Sequence, residues 1–327
     1  MPNPAAGTGE TAPRTGLISG AAAYGLWGLL PLYFPLLVPA SAWEIAAHRV
    51  IWSLVFCVGL LALTGALGRL RVLLTDRRVL GRLTVAAALL ATNWVTFLFA
   101  VLTDRVVDAA LGYFINPIVT VFLAVLVLRE RLRPAQWVAV AIAGAGVMIV
   151  GFGYGTVPWI ALLLAGSFGV YGLAKNRIGR TVQAIPGLAV EAAVLTPVAL
   201  GFIGYLAITG GGTFLVSATA DGEPIRFGMA AHTLLLIGSG LAAAIPLLLF
   251  ATAARRLRLA TIGMLQFIAP ILQFLLGVLV LGEQMPPTRW IGFVLVWVAL
   301  VVLSVDGYRA RRRNPKRGLP GSAAGPA

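Results

Sequence analysis

Ten apolar runs, most of them close to twenty residues long, follow one another along this chain with few charges inside them. They cover residues 17–37, 42–63, 83–102, 109–128, 136–152, 157–174, 187–208, 232–253, 261–281 and 290–305. At a rise of about 1.5 Å per residue, a helix of roughly 20 residues crosses the ~30 Å hydrocarbon core of a bilayer. Lipid offers no hydrogen bonds, so the backbone must satisfy its own N–H and C=O groups, and such runs fold as helices. Charge content agrees. Only 11% of the 327 residues are Asp, Glu, Lys or Arg, against about 25% in a soluble domain, and mean hydropathy is +0.94.

Two stretches are near-copies. Phe114 to Trp137 reads F-I-N-P-I-V-T-V-F-L-A-V-L-V-L-R-E-R-L-R-P-A-Q-W, and Phe267 to Trp290 reads F-I-A-P-I-L-Q-F-L-L-G-V-L-V-L-G-E-Q-M-P-P-T-R-W, at a constant offset of 153 residues. Pro117 matches Pro270, Glu130 matches Glu283 and Trp137 matches Trp290, but Arg129, Arg131 and Arg133 give way to Gly282, Gln284 and Pro286. The duplication extends to Tyr24–Leu29 against Phe168–Leu173 and to Glu44 against Glu191.

Arginine and lysine distribution gives the orientation. They crowd the second-to-third connection (Arg69, Arg71, Arg77, Arg78, Arg82), the fourth-to-fifth (Arg129, Arg131, Arg133), the sixth-to-seventh (Lys175, Arg177, Arg180), the eighth-to-ninth (Arg255, Arg256, Arg258) and the tail from Arg309. The alternate connections carry Arg105, Arg226, Arg289 or nothing. Cytoplasmic loops are enriched in Lys and Arg, so both termini are expected in the cytoplasm. Five spans per half is an odd number, so the second half enters upside down. The arginines vanish where the orientation rule would forbid them. The expected fold class is an all-α integral membrane protein, ten transmembrane helices as two inverted five-helix repeats (16–153 and 154–308), between a disordered leader (1–15) and a basic disordered tail (309–327).

The net charge of +14 does not point to nucleic acid, because the basic residues lie in short clusters between apolar runs. The lone Cys57 excludes an intrachain disulfide, and one Cys with two His cannot complete a four-ligand zinc site. The leader lacks a basic n-region, so the first run is expected to remain as an uncleaved helix. The long connection 209–231, with Gly210–Gly212 and Asp221–Pro224, reads as an exposed loop. Residues 68–82 read as an interfacial helix.

Charge inside a span costs roughly 2.5–3.5 kcal/mol on insertion scales, so the residues that carry it nominate a site. Glu44, His48 and Arg49 stand in the second run, and Glu44 and His48 share a helical face. One reading has them facing a solute pathway, with Arg49 holding an anionic group and Glu44 or His48 exchanging a proton. The other makes them a structural ion pair that fixes packing. Asn93, Trp94, Tyr113 and Asn116 are candidates for lining a cavity or for interhelical hydrogen bonds. Gln266 and Gln273 occupy the places of Tyr113 and Thr120 one repeat later, which favours a polar lining from both halves. Glu191 is a further binding or coupling candidate, or a side chain that snorkels to the interface. Lys175 reads first as an orientation determinant. Pro117 and Pro270 are symmetric hinge or kink candidates, since proline removes a helical donor. Gly25, Gly28, Gly169 and Gly172 would allow close helix approach. Glu130 and Glu283 read as structural residues accepting hydrogen bonds from the turn backbone.

The strings H-E-x-x-H, C-x-x-C and G-x-x-x-x-G-K-[ST] are absent. No catalytic residue, metal site or cofactor is assigned, and transport would be gradient-driven or passive. Gly238–Ala243 fits G-x-G-x-x-A in form only, being inside an apolar run without a βαβ unit.

The repeated N/A-P-I…L-x-L-x-E…P…W pattern resembles the EamA domain, present twice, of the drug/metabolite transporter superfamily. Four strings are similar to its RarD subgroup: A-Y-G-L-W-G from Ala23, E-I-A-A-H-R-V-I-W-S from Glu44, L-G-Y-F-I-N-P from Leu111 and R-L-R-L-A-T-I-G from Arg256. The resemblance covers about residues 16–308. It implies ten transmembrane helices, cytoplasmic termini, a central cavity between the halves and alternating access. His48, Arg49, Tyr113, Asn116 and Pro117 match the motifs, and their roles remain a physical reading. The expectation is a secondary transporter of small organic solutes, a drug/metabolite permease or exporter, multi-pass in the plasma (cell inner) membrane. Its partners would be a small-molecule substrate and the lipid bilayer, with homo-oligomerisation left open. The rival classes are a membrane-embedded enzyme, against which the scarcity of His counts, and a non-transporting scaffold or sensor.

Overall fold

The computed structural model describes residues 11–128, 132–155, 157–178, 182–219, 222, 224–257 and 259–313. Their helices are α1 Thr11–Tyr33, α2 Ala42–Leu63, α3 Leu67–Thr75, α4 Arg77–Leu102, α5 Val106–Leu128, α6 Pro134–Tyr154, α7 Trp159–Ile178, α8 Ala184–Thr209, α9 Gly228–Arg256, α10 Leu259–Leu265, α11 Ile268–Leu275 and α12 Pro287–Arg313. A 3₁₀ turn, Phe34–Leu37, extends α1, and a π turn, Leu276–Val280, extends α11. Local chemistry sets several ends. Ser41 Oγ accepts from the Glu44 N–H at the start of α2. Asp76 Oδ1 accepts from the N–H groups of Arg78 and Val79 and so opens α4. Gly210, at φ 72°, closes α8 in the left-handed conformation that lacks a steric penalty only for glycine.

Among the described residues, eight helical stretches are long and apolar enough to cross a membrane, and two shorter apolar helices, Trp159–Lys175 and Ile268–Val280, lie at the sixth and ninth runs. Large apolar side chains on these helices, such as Phe152 (85% exposed) and Ile208 (88%), face outward. That arrangement suits lipid and not water.

Four expectations are corrected. The leader was expected to be irregular through residue 15, yet α1 begins at Thr11. The ninth run is not one kinked helix: it breaks at Gln266–Phe267 between α10 and α11. Pro270 has no N–H to give the Gln266 carbonyl, and its ring crowds that group, so the helix restarts instead of bending through. The loop after α8 is not wholly exposed, for Thr213 and Ile225 are each 4% exposed. The interfacial segment is shorter than expected: α3 ends at Thr75, and Arg77, Arg78 and Arg82 belong to α4. Glu130, Arg129, Arg131, Arg180, Arg258, the residues before Thr11 and the tail from Asn314 lie outside the described residues.

The described residues fall into two compact units, one within Met1–Tyr113 and Trp159–Gln284, the other within Phe114–Pro158 and Met285–Ala327. In the first, α1 packs on α9 and α11, α2 on α8 and α9, and α4 on α7 and α8. Helices α2 and α8 run antiparallel. Glu44, at the start of α2, meets Thr213 just beyond the end of α8. Ala47 and Val50 pack with Ala199, Phe202 and Ile203. Cys57 and Leu61, late in α2, cluster with Leu188 and Ala189, early in α8. On α9, Gly240 comes so close to α2 that an added Cβ would lie 2.5 Å from the Trp52 carbonyl carbon. The Ser53 hydroxyl donates to the Gly240 carbonyl across the same contact (3.2 Å).

Connections also touch. Arg69 Nη1 donates to Gln183 Oε1 (2.6 Å), joining the connections before α4 and before α8. The Glu283 carboxylate accepts from the Val106 N–H (2.5 Å) and, through its other oxygen, from the Val107 N–H (3.0 Å). It was expected to bind its own turn and instead caps the N-terminus of α5. The Arg105 guanidinium lies 5.9 Å from the Trp159 ring. In the second unit α6 packs along α12, and Arg133 pairs with Asp306 at 2.9 Å.

Candidate functional site

Charged and polar groups are threaded along α2 and the helices that pack on it in the first unit. At its first turn, Glu44 is 1% exposed. Its Oε1 accepts from the Thr213 N–H (2.6 Å) and from the Thr213 hydroxyl (3.0 Å). Thr213 Oγ1 in turn lies 2.9 Å from His232 Nε2 on α9. With Glu44 ionised, the one hydroxyl proton goes to the carboxylate, so His232 Nε2 is the donor of that second bond. One turn along α2, the His48 ring rests 4.6 Å from the Phe214 ring, and neither of its nitrogens has a hydrogen-bond partner.

Arg49 follows. It is 3% exposed, with its guanidinium carbon 4.2 Å from the centroid of the Trp94 ring and 5.7 Å from that of Phe34. Its Nε and Nη1 have no acceptor. Among the described residues the structural ion pair considered for this cluster is not formed: the Glu44 carboxylate accepts instead from the Thr213 N–H and hydroxyl. Stacking on desolvated aromatic faces returns about 2 kcal/mol. An unpaired charge in a low-dielectric interior costs several kcal/mol, which stacking offsets only in part. Arg49 is therefore a cation held ready, stacked and short of an anion.

Beside it on α4, the Asn93 amide donates to the Leu164 carbonyl and to Ser167 Oγ, both at 3.2 Å, and its Oδ1 accepts from the Tyr113 hydroxyl at 3.1 Å. These bonds tie α4 to α7 and to the start of α5. Asn93 and Tyr113 are thus satisfied, whereas Arg49 and His48 are not.

At the other end of the α2–α8 pair, Glu191 is 1% exposed and accepts from Lys175 Nζ (2.6 Å) and from the Tyr171 hydroxyl (3.3 Å). It does not snorkel outward, and Lys175 is its ion-pair partner as well as a basic residue of the connection. Gln273, 2% exposed on α11, donates to the Trp27 carbonyl (3.3 Å), while its Oε1 is left without a partner. Trp27 clusters with Tyr24 and Phe250 at ring separations of 5.4–6.0 Å. Gln266 sits at the break between α10 and α11.

Asn116 belongs to the second unit, and its Oδ1 is buried without a partner. Pro117 lies inside α5, which continues through it, while Pro270 marks the restart of α11. Sequence reasoning missed Thr213, Phe214, His232, Ser167 and Tyr171. The signal available for His232 was its being one of two histidines in the chain; for a loop threonine there was none.

No protein-family model matches the chain. It is 47% identical over 309 residues to protein RarD of Streptomyces exfoliatus, covering 94% of each chain. It is 38% identical over 305 residues to protein RarD of Escherichia coli K12, covering 93% of this chain and 98% of that one. An uncharacterized transporter, YojE of Bacillus subtilis, is 39% identical over 305 residues, covering 92% and 97%. A solved crystal structure of a protein resembles the fold at a TM-score of 0.56 and 19% identity, over 89% of this chain and 97% of that one.

Proposed function

This chain belongs to the RarD-type transporter family, and from that premise we propose that it carries small organic solutes across the plasma membrane by alternating access. The moving parts are two inverted EamA-like halves, residues 16–153 and 154–308. The observation that carries this reading is the pattern of helix pairs. The duplication equates α1 with α7, α2 with α8, α4 with α9, α5 with α10–α11 and α6 with α12. Under that exchange the α1–α9 pair becomes α7–α4, and α2–α9 becomes α8–α4. The α2–α8 and α6–α12 pairs map onto themselves. All these pairs occur, and α2 runs antiparallel to α8, as inversion of one half requires. Inverted repeats enclosing polar groups near the midplane are a recurrent design of secondary transporters.

The connections support the path. The recorded contacts between connections join basic to basic (Arg69 with Gln183) or poor to poor (Glu283 with the start of α5, Arg105 with Trp159). This favours ten crossings with both termini in the cytoplasm. Relatives that carry transporter names favour a carrier over an enzyme.

Proton coupling would run through Glu44, whose protonation would weaken its hold on the Thr213 N–H and free the loop after α8. The experiment is solute counterflow into proteoliposomes, with metabolite mixtures read by mass spectrometry. We expect saturable flux that follows an imposed pH gradient in the wild type and loses that dependence in Glu44→Gln. No flux of any solute would reject the carrier, and equal pH-indifferent flux in both proteins would reject the coupling alone.

A further inference from the structure

We infer that the transported solute is an organic monocarboxylate and that Arg49 is the residue that binds its carboxylate. This rests on the carrier reading above and adds the substrate class. Arg49 differs from other basic side chains of the described residues. Arg105 has Asp108 at 2.8 Å, Arg133 has Asp306 at 2.9 Å and Lys175 has Glu191 at 2.6 Å. Arg49, at 3% exposure, has two aromatic rings and two guanidinium nitrogens without an acceptor. A buried cation left in this state is completed by an anion from outside the chain.

The chemistry of that anion follows from the surroundings. The guanidinium is planar and presents its donors as a fork that matches a carboxylate. One unpaired positive charge neutralises one negative charge. A dianion such as a phosphomonoester would bring a second charge into a low-dielectric site with nothing assigned to meet it. Glu44, five residues earlier on α2, adds a further carboxylate to the same helix. Trp94 and Phe34 pack against the cation, and the phenols of Tyr33 and Tyr113 lie within electrostatic range of it. A ring or short apolar chain attached to the carboxylate would find aromatic faces there. Trp94 is a positioning residue: it fixes the guanidinium plane by stacking, and Asn93 beside it is anchored to Leu164 and Ser167.

The test uses the full-length protein purified in detergent and three probe pairs: benzoate and benzamide, phenylacetate and phenylacetamide, hexanoate and hexanamide. Binding is followed by thermal shift and by calorimetric titration. The wild type is expected to bind at least one carboxylate about tenfold or more tightly than its amide, as fits loss of a charge-assisted hydrogen bond. Arg49→Gln should abolish that preference, Arg49→Lys should retain part of it, and Trp94→Leu should weaken it without reversing it. Amides that bind as tightly as their acids, or failure of every carboxylate to bind, would overturn the inference. The wild-type comparison decides this even if a variant does not fold. Flux separates the two levels. Transport of a carboxylate solute by Arg49→Gln at the wild-type rate sinks the carboxylate subsite and leaves the carrier standing, whereas no solute flux in the wild type sinks the carrier.

Discussion

Glu283 gives the clearest single-residue forecast because it lies outside the membrane spans. Burial, aided by the neighbouring Asp108 and Asp104, raises its pKa from 4.5 to about 7, against the opposing pull of the Val107 and Val106 N–H groups. The folded protein therefore keeps this proton up to about pH 7, while the unfolded chain releases it near pH 4.5. Between those limits the folded state binds more protons, so stability falls as pH rises. The contribution is fully present below the unfolded value and lost as pH passes the folded one. Melting temperature measured from pH 4.5 to 8 should decline more steeply in the wild type than in Glu283→Gln; parallel curves would remove Glu283 as the source. At this scale the sequence announced residues whose type conflicts with their surroundings. Arg49, His48 and Glu44 stood out because ions are costly in an apolar run. Thr213 and Phe214 did not, since a threonine and a phenylalanine in a glycine-rich connection conflict with nothing. Their importance comes from contacts made across 169 residues of chain, which no local pattern records.

Among the elements, helix existence was legible from run length and helix contact was not. Gly25, Gly28, Gly169 and Gly172 were all expected to permit close approach. Gly28 does, with an added Cβ only 2.8 Å from Leu272, but Gly25 and Gly172 have nothing within 4 Å. The closest approach to another helix's backbone involves Gly240, where an added Cβ would meet the Trp52 and Ser53 backbone at 2.5–2.6 Å. Backbone cannot rotate aside, so Gly240→Ala should destabilise by about 1–3 kcal/mol, the usual cost of overpacking. Gly25→Ala, in open space on α1, should be neutral or stabilising by up to about 1 kcal/mol, through reduced freedom of the unfolded chain. Thermal unfolding in one detergent compares the two directly, and equal losses would refute the close crossing. The broken ninth run follows the same logic. The sequence showed matched prolines at 117 and 270, but α5 continues through its proline whereas α11 restarts near its own. A proline removes one bond wherever it falls, and tertiary packing decides whether the helix survives.

For the whole molecule the sequence was most informative about direction. Missing arginines in the second copy imply inversion, a reading that requires helices α2 and α8 to run antiparallel. Less legible was how the chain partitions. Sequence halves divide near residue 153, but each compact unit draws on residues from both sides of that point. Duplication records descent, whereas compactness records which helices bury surface together. The orientation itself is open to chemical test. Cys57 is the one cysteine of the chain and is 2% exposed, so Cys57→Ser provides a background for single introduced cysteines. Arg71→Cys and Arg256→Cys would lie on basic connections, and Gln284→Cys on a poor one; all three parent residues are exposed. In intact cells a membrane-impermeant maleimide should modify Gln284→Cys and should reach Arg71→Cys and Arg256→Cys only after permeabilisation. Even a single omitted crossing between positions 71 and 256 would place those two on opposite sides, so their labelling together or apart separates ten crossings from the eight that helix length alone supplies.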